Sequence, residues 1–135
     1  MTSSDGPGGA MLQRRAADRA EGLPSAELTH PFGPNWDVYK VRGKVFLLLP
    51  LVHGEPIAIV KTAPADGDAL RQVFSGITRG YHMNKKHWIS LHPDGSLPDD
   101  LVEELVTESY RLVVDTLPRR IRPVDPNTFG IPPIE

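Results

Sequence analysis

The sequence predicts an α+β fold, a two-layer sandwich of a mostly antiparallel sheet with N- and C-terminal helices on one face. Three observations carry this. Strand-like runs between Trp36 and Thr62 are joined by links of a few residues, too short for the crossover that parallel pairing needs. Val102, Leu105, Val106, Tyr110, Val113 and Leu117 recur at spacings of three and four and form the apolar stripe of a long helix. Near the start, an Ala- and Arg-rich stretch ends at Gly22 with Pro24 just beyond, a helix stop. Elements with one apolar face must bury it against a second layer.

In chain order, residues 1–10 carry no side chain able to anchor them and read as a disordered leader. Met11 to Gly22 is a helix whose stripe of Met11, Leu12, Ala16 and Ala20 is thin. Ala26 to His30 is a short strand closed by the breaker-rich HPFGPN. Trp36–Arg42 and Val45–Leu51 flank Gly43-Lys44 and read as a hairpin. Ile57–Thr62 is a third strand after the turn-like His53-Gly54-Glu55-Pro56. Asp66–Phe74 is a short helix with acids in its first turn, where the helix dipole favours them. Ile77–Met83 and His87–His92 are strands around an Asn84-Lys85-Lys86 turn, and Pro93-Asp94-Gly95 is a break. Ser96-x-x-Asp99 fits a capping box for the last helix, with Pro98 in the first turn and Leu117-Pro118 as the stop. The single domain spans 11–122. Residues 123–135 hold four prolines and are expected to form a loose tail, the alternative being a strap over the domain through Phe129, Ile131 and Ile134.

Composition bounds the function. In 135 residues there is no cysteine, which excludes disulfides, thiolate metal sites and a cysteine nucleophile. The longest apolar run, Val45 to Val52, is far short of the roughly 20 residues of a spanning helix, and the start lacks the pattern of a secretory signal. The expectation is a soluble cytoplasmic protein with no membrane partner. Fifteen cations oppose seventeen acids, a formal charge of −2. That total hides a segregation. Lys40 to His92 carries a net +5, and Asp94 to Asp115 a net −6.

The densest polar set is Arg79 to Trp88, RGYHMNKKHW. His82, His87 and His92 fall five apart, an odd spacing that sends neighbours on one strand to opposite faces, and no carboxylate lies between Arg79 and Pro93. A metal site is therefore disfavoured against isolated surface histidines. No G-x-S-x-G elbow frames a serine, no Gly-rich phosphate loop is present, and Asp99/Asp100 and Glu103/Glu104 read as a solvated helix face. The expectation is no enzyme, no catalytic residue and no cofactor. Nucleic-acid binding is the remaining chemistry, weighed against a plain solvated turn. Lysines on strand tips neutralise phosphate, Asn84, His82 or His87 reach base edges or sugar, and Trp88 or Tyr81 stack or bury.

The string GYHMNKKHW, with Leu23-Pro24, Pro31-Phe32-Gly33, the run Tyr39-Lys40-Val41-x-Gly43-Lys44-Val45-Phe46, Lys61, Asp94-Gly95-Ser96-Leu97-Pro98-Asp99 and Ser109-Tyr110, resembles the MmcQ/YjbR family of small bacterial proteins over roughly Met11 to Pro118. The resemblance implies a CyaY-like (frataxin-like) fold and DNA binding through a paired-wing surface of strands and turns. Frataxin-type iron binding is not implied, because the first helix bears Arg14, Arg15 and Arg19 where that chemistry needs acids. The expected DNA-contacting residues are Lys61, Arg79, Tyr81, His82, Asn84, Lys85, Lys86, His87 and Trp88. The alternative is a small-ligand or protein-binding module with a polar pocket around the same segment. A homodimer through an open sheet face is a third reading.

Overall fold

The short links in the middle of the chain produce the antiparallel order that the sequence predicts. The structure, a computed structural model, describes residues 6–130, with side chains from Met11 onward. Helix α1 (Gly6–Glu21) leads into β1 (Ala26–Thr29), β2 (Asp37–Val41) and β3 (Lys44–Leu49). A two-stranded ribbon, β4 (Leu51–Val52) with β5 (Glu55–Pro56), precedes β6 (Ala58–Lys61). Then come α2 (Pro64–Val73), β7 (Ile77–Arg79), β8 (Trp88–Leu91), α3 (Asp99–Asp115) and a 3-10 turn, Arg119–Ile121. The main sheet has the order β1-β2-β3-β6-β8-β7, every neighbouring pair antiparallel. β8 slots in beside β6, so β7 is the far edge.

The helices cover one face. Leu12, Ala16 and Ala20 of α1 and the whole predicted stripe of α3 are buried against Tyr39, Val41, Phe46, Val60, Ile89 and Leu91 of the sheet. Leu70 and Phe74 of the α2 segment close the β7 end. The thin stripe of α1 suffices because ion pairs support it. Arg15 bridges Asp99 and Glu103 at 3.1 and 3.0 Å, and Arg19 reaches Glu103 at 3.0 Å. Hydrogen bonds from these two guanidiniums hold the Glu103 carboxyl below the usual carboxylate range.

The other face has a core of its own. Val38, Leu48, Ile57 and Ile59 are each under 4% exposed, beneath Trp36, Val45, Val52, Tyr81, Met83 and Trp88. Both faces of β3 thus pack against the chain's own side chains, fully buried on the helix side and under a half-buried layer on the other.

One irregularity ties the layers together. Between Tyr39↔Leu47 and Lys40↔Val45 the register slips, and Phe46 stands opposite no residue of β2. The β3–β6 ladder holds Leu47↔Val60 and Leu48↔Ile59 and stops short of Phe46. The fully buried Ser109 of α3 fills that gap: its hydroxyl donates to the Phe46 carbonyl at 2.6 Å and accepts the Lys61 N–H at 2.8 Å. Ser109→Ala leaves both backbone groups unpartnered. It is expected to cost about 2 kcal/mol, read as a urea-midpoint shift.

Four expectations change. α1 begins at Gly6 rather than Met11; the remainder of the predicted leader, residues 1–5, lies outside the described residues. The strand predicted to run to Met83 ends at Arg79. There is no capping box. Pro98 is the N-cap of α3, and the Ser96 hydroxyl instead accepts the Gly76 N–H at 3.0 Å. Asp94 organises that corner, accepting from the Ser75 hydroxyl at 2.7 Å and the Ser96 N–H at 2.9 Å, and these bonds pull its carboxyl down to about 2. Finally, the described part of the Pro-rich tail is a strap. Val124 and Phe129 pack on the helix-side core, the Phe129 ring lies 5.6 Å from Tyr110, and Arg111 donates to the Pro126 carbonyl at 3.0 Å. A proline-rich stretch forfeits helix but not burial of its aromatic. Residues 131–135, with Ile131 and Ile134, lie outside the described residues.

Candidate functional site

The segment Gly80–His87 leaves the edge strand β7, folds over the helix-free face and enters β8. Its entry and exit are held by backbone. The Gly80 N–H donates to the Trp88 carbonyl at 2.8 Å, and the Thr62 N–H to the His87 carbonyl at 2.8 Å. The Tyr81 N–H donates to the buried Ser90 hydroxyl at 2.9 Å. The tip is an Asn turn: the Asn84 side-chain oxygen accepts the Lys86 N–H at 2.9 Å, and its carbonyl accepts the N–H groups of His87 and Trp88. Lys85 folds back and its ammonium donates to the Gly80 carbonyl. His82 sits at φ 58° with its ring 4.0 Å from that of Tyr81. Lysine, asparagine and tyrosine thus serve the turn before they serve any ligand.

Strand register decides which predicted residues come together. Residues directly opposite across an antiparallel pair share a face. Lys61 is opposite Trp88, and Lys40 is opposite Val45. Trp88 and Val45 pack on the helix-free core, so Lys40 and Lys61 stand on that same face. They lie at one end of it, the end where the turn delivers Lys86 and His87. His82, Asn84, Lys85, Lys86 and His87 are exposed, while Lys61, Tyr81 and Trp88 are half-buried.

Arg79 is not part of this set. It stands opposite Ile89, whose side chain is in the helix-side core, so Arg79 projects from the opposite face at the sheet edge. The period-two signal was present in the sequence: Ile77 is a core residue, and Arg79 follows two positions later. Lys40 is the residue that sequence reasoning missed. Alternation places it on the face of Val38, but that face acquires meaning only once Lys61 pairs with Trp88.

Among the described residues, Arg15, Arg19, Arg71 and Arg111 are all engaged with carboxylates. Among the described residues none of the five lysines has a carboxylate within ion-pair distance, including Lys40, whose cross-strand neighbour is Glu27. Arg14, Arg42, Arg79, Arg119, Arg120 and Arg122 likewise make no ion pair among the described residues, so Lys40 and Lys61 are set apart by their shared end of one face. His82, His87 and His92 form no cluster that could hold a metal ion among the described residues. His92 is bound on one ring nitrogen to Glu55 at 2.8 Å and on the other to Thr78 at 2.9 Å. Among the described residues no group of three or more His, Asp or Glu is placed to hold a metal ion, and no helix is long and apolar enough to cross a membrane.

The YjbR family model matches residues 21–112. The chain is 41% identical over 109 residues to YbdF of Escherichia coli O157:H7, covering 81% of this chain and 89% of that one. It is 37% identical over 83 residues to YjbR of Escherichia coli strain K12, covering 62% and 70%. Protein DR2400 of Deinococcus radiodurans, a DUF419 domain known from a crystal structure, superposes with a TM-score of 0.72 at 32% identity, covering 78% of this chain and 80% of that one. A Pseudomonas syringae protein shares the fold, with a TM-score of 0.66 at 24% identity over 74% of this chain and 97% of that one. The strap lies beyond the matched family span.

Proposed function

The chain belongs to the YjbR family, and on that premise we propose that it is a cytoplasmic DNA-binding protein that catalyses no reaction. The contact surface is the lysine end of the helix-free face: Lys40 and Lys61 on rigid strands and Lys86 on the turn, with His82 and His87 beside them. One observation carries the reading. Lys40 and Lys61 share one end of a sheet face with the turn that carries Lys86, and among the described residues none of the three has a carboxylate within ion-pair distance. An uncompensated cluster of ammoniums is the electrostatic footprint that phosphate binding needs.

Mobility shift of duplex DNA at low salt tests this. Lys61→Glu combined with Lys86→Glu is expected to weaken binding by about tenfold or more, with the urea midpoint unchanged. Lys85 is left alone because its ammonium fastens the turn to Gly80. Unchanged binding in the double variant overturns the proposed surface, and binding that does not weaken with added salt overturns phosphate recognition.

A further inference from the structure

Resting on the DNA-binding reading, we infer that this surface reads the phosphate backbone of a duplex and is nearly indifferent to base sequence and to single strands. The juxtaposition behind this is a set of ammoniums with no ion-pair partner among the described residues, amid side chains whose two-point base-reading or stacking groups are already engaged.

Sequence readout in a groove rests chiefly on two-point contacts: the arginine fork on guanine, and the carboxamide of Asn or Gln on adenine, accepting and donating at once. Both are absent from this surface. The Asn84 oxygen is committed to the Lys86 N–H, so only half of its amide remains. Arg79 faces the helix side. Arg42, on the nearby β2–β3 turn, is drawn toward the helix side, where its Nε donates to the Ile121 carbonyl at 2.9 Å and its charge acts on Tyr110. What remains at the lysine end is Lys40, Lys61 and Lys86, compact point charges with no fork geometry, and the exposed imidazoles of His82 and His87, which offer one-point contacts only. Contacts of that kind set position on the backbone and carry no sequence information.

Single-strand binders add aromatic faces on which bases stack. Here the two rings of the segment are occupied. Tyr81 and Trp88 are half-buried on the second core, and His82 already lies against the edge of Tyr81. Trp88 is further fixed by Gly80, whose backbone passes so near that an added Cβ would come within 2.6 Å of the Trp88 Cβ. A base has no ring to displace without opening that core. Lys40 and Lys61 sit two strand spacings apart, about 10 Å, on a sheet that does not flex to follow a coiling strand. A duplex presents phosphates in a fixed array that such a rigid pair can meet.

Fluorescence anisotropy with the full chain decides it, using an A·T-rich duplex, a G·C-rich duplex and a single strand of equal length. The two duplexes are expected to bind within about threefold of each other, with the single strand weaker. The slope of log K against log salt is expected to be about −3, for three ammoniums, and Lys61→Gln to reduce it by about one. A tenfold preference between the duplexes, or tighter binding of the single strand, overturns the inference and leaves DNA binding standing. No binding to any of the three overturns the DNA-binding reading itself.

Discussion

Replacing Gly80 with alanine is expected to destabilise the domain by about 3 kcal/mol, a large share of the roughly 5–15 kcal/mol that holds a small domain folded. The new methyl would sit 2.6 Å from the Trp88 Cβ and 2.9 Å from both its carbonyl carbon and its carbonyl oxygen. Two of those three atoms are backbone, so no flexible side-chain tip can swing away. Relief requires β7 and β8 to part at the one place where the Gly80 N–H meets the Trp88 carbonyl. Parting them also lifts Trp88 from Ile59 and its neighbours and loosens the Lys85 bond to Gly80. The cost is therefore one overpacked contact and about one hydrogen bond together. A urea-melt shift below 1 kcal/mol would show that the turn can slide without disturbing the sheet. If the proposed DNA contact holds, the same variant is expected to weaken it at temperatures where the domain remains folded, because Lys86 is carried on the displaced turn.

The glycine that heads the motif and the tryptophan that ends it are thus one structural unit. This explains why the motif was visible in the sequence while its chemistry was not. Strand-like runs bounded by turn residues, with short links, point to the six strands of the main sheet, and the three-four spacing points to α3, because both are local patterns with one dominant cause. Strand order is not local. β8 lies beside β6 because Trp88 and Ile89 fill opposite faces across from Lys61 and Val60, and nothing in either segment alone specifies that pairing. The capping box failed for a related reason. Ser96 has a competing long-range partner in the Gly76 N–H, and the tertiary bond wins. The strap was misread because proline content reports on what a backbone cannot form and says nothing of whether a phenylalanine finds a ring to pack on. At the candidate site, a list of cations along the chain could not separate Lys61 from Arg79. Register separates them, and it also shows that Lys85 and Asn84 are engaged in the turn.

Tyr110→Ala is expected to be the most damaging single substitution in α3, costing about 4 kcal/mol. Tyr110 is fully buried where four segments meet. Its ring stands edge-on to Phe46 at 5.3 Å and tilted against Phe129 at 5.6 Å, and its hydroxyl donates to the Pro24 carbonyl at 2.5 Å. Truncation removes sheet contact, strap contact and the tie to the β1 entry at once. Tyr110→Phe separates these contributions. It keeps the rings and loses only the hydroxyl, for about 1 kcal/mol. If both variants cost the same, the hydrogen bond rather than the packing dominates, contrary to the argument. Trypsin supplies a second readout. Arg119 and Arg120 precede the strap's anchor at Phe129, so the alanine variant should be cut there well before the phenylalanine variant. The phenol also fixes an alkaline limit. Burial raises its pKa to about 12, against about 10 when unfolded. A raised acid contributes stability that is whole below pH 10 and is lost as pH climbs toward 12. Tyr39 adds to this in the same direction, raised first by burial and then by its bond to Glu21. Stability of the native chain should therefore fall across pH 10–12, and Tyr110→Phe, which has no phenol to ionise at that position, should fall less steeply over the same range.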